Sequence, residues 1–540
     1  DQITILLNGV NISSPQTGHN AADFPVSLSD IERIEVLEGA SARVFGSSAF
    51  NGAINIVTRP DRESCVRLSA EGGSFGSFGG DFGVSLLTGS VSQKLSGGYT
   101  QSDGGTKNSD FKRRRAYYTG SYTSRYADLV WQAGLSSQDY GASTFYSAKF
   151  DNQWEATRRI ITSAQADIKP FGDERFVITP QAYWHRDVDH YQLTRGKEGA
   201  KNGENYHRTD VYGASLNAHA TWLLGKTAVG MDIRKEHILS TAYGDLLPEN
   251  EWKDIHGTDR RYDHRGDRTN TSLFLEHNVI LGGFTLSAGV LANRNTGLDG
   301  DFRFYPGVDL SYRPNEMWKF YASWNKALRV PTYTDLYTSN SVQQGDTGLR
   351  PERTSTFKAG TRFRTRGVEA VVSGFYSKGN DIIDWVYETE ESRKYHAMNI
   401  GKLDNMGYSV DATLNMTELL PGSFVTRIKA GYARIHQRHT TEQPVYRSLY
   451  ALEYLRHKAT FQLDHRIWSR LSASWAVRWQ ERMNHYEPYT KVDCKLQWTA
   501  PTYSLYVKAD NITNHRYYDL GGVRQPGLWI MAGGSVKIGL

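Results

Sequence analysis

Cysteine is nearly missing from this 540-residue chain. Cys65 and Cys494 are too few for a disulfide framework, and their spacing fits no zinc motif, so two free thiols are expected. Long apolar runs are missing too. No stretch of eighteen apolar residues occurs, which excludes a helical membrane protein. A β-barrel escapes that test, because only alternate residues face lipid. Charge of one sign is also lacking: 63 Lys+Arg against 58 Asp+Glu leave a net +5, no case for a nucleic-acid partner. The one dense basic run, Lys112-Arg113-Arg114-Arg115, fits a solvated loop or a strand end at a membrane rim. No P-loop occurs, and neither an enzyme nor a cofactor is expected. His185, His190 and the region His256 to His264 have no tetrahedral spacing with Cys or carboxylates. Asp259, Asp263 and Asp267 are interleaved with Arg260, Arg261, Arg265 and Arg268, which neutralise the charge a Ca²⁺ site needs. No metal site is expected.

What is present is alternation. In Arg175 to His185, Phe176, Ile178, Ala182 and Trp184 fall on one face, and Thr179, Gln181, Tyr183 and His185 on the other. In Thr227 to Glu236, Val229, Met231 and Ile233 oppose Asp232, Arg234 and Glu236. In Tyr503 to Asp510, Tyr503, Leu505, Val507 and Ala509 oppose Ser504, Tyr506, Lys508 and Asp510. Tight connections at Thr88-Gly89-Ser90, Phe171-Gly172-Asp173, Gly225-Lys226, Gly282-Gly283, Pro314-Asn315 and Pro501-Thr502 alternate with long polar ones at 142–156, 194–207, 243–268 and 330–350. Short turns on one side and long loops on the other mark a membrane barrel, with the long loops outward. Aromatics at 12%, with 32 Tyr and 13 Trp, suit barrel girdles. From about residue 62 onward the pattern predicts about 22 antiparallel strands, a lumen wide enough to need filling. The fold class predicted is all-β, with residues 1–60 inside a barrel formed by 61–540.

The segment Ile31-Glu32-Arg33-Ile34-Glu35-Val36-Leu37-Glu38-Gly39, followed by Ala42-Arg43-Val44-Phe45-Gly46 and Gly52-Ala53-Ile54-Asn55-Ile56-Val57-Thr58, reads as two apolar strands joined by a Gly-rich turn. It resembles the end of the plug domain of TonB-dependent outer-membrane receptors. Ala327-Leu328-Arg329-Val330-Pro331-Thr332 with Asp335-Leu336-Tyr337 looks like the family's strand-to-loop motif, and Leu349-Arg350-Pro351-Glu352-Arg353 like its return strand. Asp510-Asn511-Ile512-Thr513-Asn514, Tyr517-Tyr518 and Gln525-Pro526-Gly527 resemble its C-terminal ending. Within the family, Ile5-Leu6-Leu7-Asn8-Gly9-Val10, Phe24-Pro25, Asn399-Ile400-Gly401-Lys402 and the surroundings of Arg482 are most similar to cobalamin receptors of the BtuB group. The chain departs from the pattern in ending at Leu540 rather than an aromatic. It opens in mid-strand at Asp1-Gln2-Ile3-Thr4-Ile5, with neither signal peptide nor TonB box, so a fragment holding the C-terminal half of the plug is expected.

The resemblance implies active import across the outer membrane, most like that of cobalamin or another corrinoid. A ferric siderophore or haem is the alternative cargo, and a passive surface binding protein or adhesin the alternative class. Between the first two barrel motifs, 332–348 contains no His, which counts against haem. Implied partners are a corrinoid or metal-chelate ligand, TonB through an absent N-terminal segment, outer-membrane lipids and, as a further candidate, a surface lipoprotein. Such barrels bind between plug apex and long loops. The plug loop therefore offers Ser14, Gln16, Thr17, His19 and Asn20 as small polar donors. The loops offer Phe145, Tyr146, Trp154, Tyr206 and Trp252 as flat apolar contacts, unless some belong to the outer girdle. Arg482 is either a cation for a phosphate or amide of the ligand or half of an ion pair in the wall.

Overall fold

The computed structural model describes residues 3–18, 23–38, 52–146, 149–298, 300–441, 443–449, 451–452, 454–483, 486–519 and 523–540. His19, Asn20, Gly39 and the Ala42-Arg43-Val44-Phe45-Gly46 run lie outside the described residues. The first strands are β1 (Thr4–Leu7), β2 (Val10–Asn11), β3 (Ile31–Leu37) and β4 (Ala53–Thr58). They form one small sheet in the order β2-β1-β4-β3. Asn8 and Gly9 join β1 to β2 with φ of 52° and 79°. Positive φ at both central residues is the type I′ hairpin turn, for which Asn-Gly is the favoured pair. β4 runs parallel to β1 and antiparallel to β3.

Twenty-two long strands close into an antiparallel barrel around this sheet, and the two-residue strand Asp245–Leu246 adds to its rim. The first nine are β5 (Cys65–Gly73), β6 (Ser77–Thr88), β7 (Val91–Ser102), β8 (Phe111–Thr123), β9 (Ala127–Ser143), β10 (Gln153–Ile168), β11 (Phe176–Gln192), β12 (Glu204–Trp222) and β13 (Gly225–Ser240). The barrel shuts where the last strand, Trp529–Gly539, pairs with β5. Alternation decides which side each residue faces. Val229, Met231, Ile233, Leu505 and Val507 are exposed on the outer wall, while Tyr183, His185, Arg234 and Glu236 are buried inside. Closure satisfies every strand edge, the requirement for backbone in lipid. Exposed Tyr126, Phe171, Trp222, Phe284, Phe424, Trp468 and Tyr503 lie at the short-turn rim, as a girdle does.

Some boundaries differ from the sequence reading. The tight turn expected at Gly225-Lys226 falls at Leu223-Leu224, and Gly225 opens β13. The long connections run over 144–152, 193–203, 241–263 and 330–351; the largest differences arise because β10, β12 and the strand His264–Leu281 begin four to five residues before their expected starts. Three more, 381–401, 441–454 and 511–528, escaped notice. The first two help build a small sheet with order Gln343–Gln344, Tyr395–Asn399, Ile383–Tyr387, Arg447–Ser448. In the basic run, β8 alternates: Arg115 faces inward to pair with Asp81, while Lys112 and Arg114 are exposed. Cys65 and Cys494 are both free.

The inner sheet leans on one side of the wall. Leu7, Val10, Ile12, Val26 and Ile56 pack with Tyr117, Ile161, Tyr183 and Val211 of β8, β10, β11 and β12. Each such side chain contributes about 1.5–3 kcal/mol by leaving water. Polar anchors fix the register. Asn8 Nδ2 donates to Thr58 Oγ1 at 2.8 Å, to Tyr117 Oη at 3.1 Å and to Gln132 Oε1 at 2.8 Å. Lower down, Lys94 Nζ donates to Ser29 O at 2.7 Å and pairs with buried Asp30 at 3.1 Å.

Candidate functional site

The loop after β2 is tightened by its own polar side chains. Asn11 Oδ1 accepts from Ser13 N at 2.9 Å and Ser14 Oγ accepts from Gln16 N at 3.3 Å, local turns that Asn and Ser favour. Its carbonyls are then taken up by the barrel. Arg234 donates to Asn11 O at 3.1 Å and to Ser13 O at 2.7 Å. Tyr333 N donates to Pro15 O at 3.0 Å and Thr334 N to Gln16 O at 2.9 Å. Those two amides open a short helix, α1 (Tyr333–Tyr337), inside a connection read from sequence as plain loop. Thr332 and Asp335 form its capping box. Arg268 ties the two sides together: it pairs with Glu236, donates to Pro331 O at 2.7 Å and lies 4.8 Å over the Tyr333 ring. Glu236 also bonds Arg234 at 2.8 Å. One buried chain, Arg234–Glu236–Arg268, therefore joins the inner loop to α1.

Beside this junction lies a cavity of about 1200 Å³. That exceeds the roughly 300–1,000 Å³ of drug-sized sites, so it suits a larger solute. At its long-loop end it is lined by Gln16, Thr17, Phe145, Tyr146, Glu155 and Asp189. Gln16 Nε2 donates to Asp189 Oδ2 at 2.6 Å. Glu155 accepts from the hydroxyls of Tyr140 and Tyr146, and the Tyr146 ring meets Tyr191 edge-on with centroids 5.1 Å apart. His207, stacked on Tyr243 at 4.2 Å with Nδ1 on Ser240 Oγ at 2.8 Å, completes the wall. Two buried carboxyl groups, the amide of Gln16 and a fringe of tyrosine hydroxyls give this end a connected hydrogen-bond network beside aromatic rings. Four cations line the cavity, Lys319, Lys326, Arg329 and Lys358; Arg329 bonds Glu352 at 2.6 Å and Asp335 at 3.3 Å, and Lys358 pairs with Glu38.

The comparisons with known proteins agree with this architecture. Residues 66–512 match the family model "TonB dependent receptor-like, beta-barrel", and residues 1–53 match "TonB-dependent Receptor Plug Domain". The chain belongs to the TonB-dependent receptor family. A vitamin B12 transporter BtuB from Photobacterium profundum is 23% identical over 443 residues, 76% of this chain. The chain spans 64% of that relative's length. Among solved structures, a mutant ferric enterobactin receptor PfeA from Pseudomonas aeruginosa aligns with TM-score 0.77 at 16% identity, covering 99% of this chain and 90% of that one. The FrpB iron transporter from Neisseria meningitidis aligns with TM-score 0.78 at 16% identity, covering 99% and 92%. At that identity the two structures share the fold.

As a TonB-dependent receptor, the chain shows why its motifs recur together. Arg329 of the first and Glu352 of the second are both buried and bonded, with Asp335 of α1 as third member. In the C-terminal motif, Asn511 Nδ2 donates to His515 O at 2.9 Å and Pro526 O at 3.2 Å, holding the 511–528 connection closed. At the start of 381–401, burial raises the Asp381 carboxyl, but hydrogen bonds from Arg353 and Arg350 and their charges overcome that. Its pKa lies below the usual carboxylate range.

Of the residues anticipated from sequence, Gln16, Thr17, Phe145 and Tyr146 come together on the cavity. Ser14 serves the turn. Trp154 neighbours inward-facing Glu155 on β10, so it points outward, edge-on to His190 at 5.1 Å. Tyr206 stacks on His190 at 4.0 Å, under the 241–263 connection with Ile255 and Tyr262. Trp252 Nε1 donates to Leu247 O at 3.0 Å, inside the same connection. Arg482 pairs with Asp519 at 2.9 Å. Glu155, Asp189, Tyr191, His207 and Tyr243 were not anticipated. Tyr243 lies in the 241–263 connection; for the other four the signal was the continued alternation of β10–β12 past the apolar band, where inward positions turn acidic and aromatic.

Proposed function

We propose that this receptor imports a large, scarce solute across the outer membrane, with cobalamin or another corrinoid as cargo. On this reading residues 1–60 are the C-terminal half of the plug and 61–540 the barrel. The chain crosses the membrane many times, with its long connections outward. TonB would supply the energy, and a surface lipoprotein is a further candidate partner. The observation that carries the cargo is the end of the cavity where a polar network lies beside aromatic rings. Gln16 and Thr17 sit there beside Glu155 and Asp189, with aromatic planes at Phe145 and Tyr146. A corrinoid presents a broad apolar face rimmed by amides, whose N–H groups suit carboxylate and hydroxyl acceptors. A polyanionic ferric chelate needs grouped cations instead, and two of the four lining cations, Arg329 and Lys358, are already paired. Similarity to the vitamin B12 transporter of Photobacterium profundum points the same way.

The test is equilibrium binding of cyanocobalamin to purified, detergent-solubilised protein. Replacing Gln16, Thr17 and His19 together by Ala should weaken binding by a few kcal/mol, at about 1 kcal/mol per lost hydrogen bond. Tight binding of a ferric siderophore or haem with no measurable cobalamin binding would overturn the cargo and leave the importer. An intact protein that binds its ligand in cells containing TonB but brings none of it inside would overturn active import in favour of a passive binder.

A further inference from the structure

The outer wall of a membrane barrel is an apolar band about 25 Å tall, normally an even surface of side chains. Here it is dented. A groove of about 880 Å³ lies across β5–β8 and the strands Tyr503–Asp510 and Trp529–Gly539. Its floor is Gly80, Gly97 and Gly534, and its walls are Phe82, Tyr99 and Leu505. A Cβ on Gly97 would meet Phe82 Cε1 at 2.6 Å, and one on Gly534 would meet Leu505 Cδ2 at 2.7 Å. Those neighbours lie flat because the glycines carry no side chain. Gly80 differs: a Cβ there would meet only Ser69 O, at 3.7 Å, so it looks into open space.

The groove leads to cations. Gly534, Ala70, Gly80, Tyr99, Arg114, Ser137 and Arg158 are successive direct partners across the strands. Directly paired residues share a face, so Arg114 and Arg158 stand on the same outward surface as the groove. Two strands apart, they are separated by about 10 Å along the sheet. The Arg114 guanidinium lies 5.9 Å from the Tyr99 ring centroid, at the groove's end. Their inward-facing neighbours Arg115 and Arg159 are paired with Asp81 and Asp187, whereas neither Arg114 nor Arg158 has a carboxylate partner among the described residues. Lys112, on the same face, is opposed directly by Asp139.

Height matters. Arg114 is nine residues in from Thr123 at the short-turn end of β8, and Arg158 ten in from Ile168. At about 3.3 Å per residue and a tilt of about 40°, both guanidinium groups stand roughly 25 Å up, at the upper edge of the apolar band. An arginine there reaches for polar headgroups, and an unpaired one at a lipid boundary is costly. We propose that the groove and the Arg114–Arg158 pair form a seat for one phosphate-bearing lipid of the outer leaflet. Its acyl chain fills the groove over Gly80, and its phosphate lies between the two guanidinium groups, the bidentate partner that arginine suits.

The experiment is native mass spectrometry of the purified chain in neutral detergent, with dioleoyl phosphatidic acid, dioleoyl glycerol or inorganic phosphate added. The wild type should retain phosphatidic acid at least about tenfold better than the neutral lipid, and inorganic phosphate should not displace it. Arg114→Ala with Arg158→Ala should abolish the preference. Gly80→Phe should fill the groove and abolish retention while leaving both cations in place. Heat-shifted gel mobility checks that each variant still forms the barrel, as these outward positions allow. Equal retention of the two lipids by the wild type overturns the proposal. So does displacement by phosphate alone, or preference retained by either folded variant.

Discussion

Replacing Arg234 by Met tests whether the plug loop is held by the barrel or merely touches it. Arg234 is buried and donates to Asn11 O at 3.1 Å and Ser13 O at 2.7 Å, with Glu236 as its counter-charge. Hydrogen bonds from a charged donor contribute about 1.5–3 kcal/mol each, and removing one member of a buried ionic set costs about 3–5 kcal/mol. Glu236 keeps Arg268, so the lower figure applies. A loss of about 3 kcal/mol in the opening free energy of the loop corresponds to roughly a hundredfold faster amide exchange. Hydrogen–deuterium exchange of the peptides covering 10–18 reads this directly, while barrel peptides should be unchanged. Tyr333 and Thr334 N–H groups lose their acceptors if the loop swings, so peptides covering α1 should accelerate with it. Unaltered exchange over 10–18 in a folded Arg234→Met protein would refute the tether. Acceleration of 10–18 with α1 unaffected would refute the link between them.

Three further outcomes are expected. Glu155→Gln with Asp189→Asn should weaken corrinoid binding at least about tenfold without changing barrel stability; unchanged affinity would remove the acceptors from the site. Asp381, whose folded pKa lies below the unfolded value of about 3.9, contributes stability that is present above about pH 4 and lost as pH falls through the folded value. Protection of the 381–401 connection, corrected for intrinsic exchange, should therefore hold from pH 7 to 5 and fall below about pH 4. The same step in Asp381→Asn would contradict that origin. Protease added to whole cells should cut within 144–152, 193–203, 241–263 or 330–351 and spare Leu223-Leu224; the reverse pattern would invert the orientation.

The barrel was legible in the sequence because alternation like that of Val229-Met231-Ile233 against Asp232-Arg234-Glu236, which a sandwich shares locally, recurs over about 22 segments joined alternately by short turns and long loops. Turn positions were less so: Gly225 reads as a turn residue, yet it opens β13 with φ of 127°, after a turn made by Leu223 and Leu224. The latter are apolar because that rim meets the membrane. The connections 381–401 and 441–454 hid because their strands are two to five residues long and gain their partners from other loops. Part of the cavity lining was visible. Gln16 and Tyr146 sit in loops whose polarity or aromaticity stood out, whereas Glu155 and Asp189 look like ordinary polar strand positions until the barrel brings them together. Trp154 and Tyr206 misled for the complementary reason: a single residue of parity sends a side chain to the other face.

The closing seam constrains how such a chain is made. Ser74 Oγ accepts from Ile530 N, a contact 456 positions apart in sequence. Until the final strand is synthesised and delivered, β5 presents a bare edge, and so does every strand that has not met its neighbour. The apolar contacts between inner sheet and wall involve only β8 and β10–β12, so they do nothing for the open edge of β5. Biogenesis therefore cannot proceed by accumulation of stable halves. Loss of the last eleven residues should abolish the receptor rather than shorten it, and a chaperone that shields unpaired edges becomes a requirement of assembly.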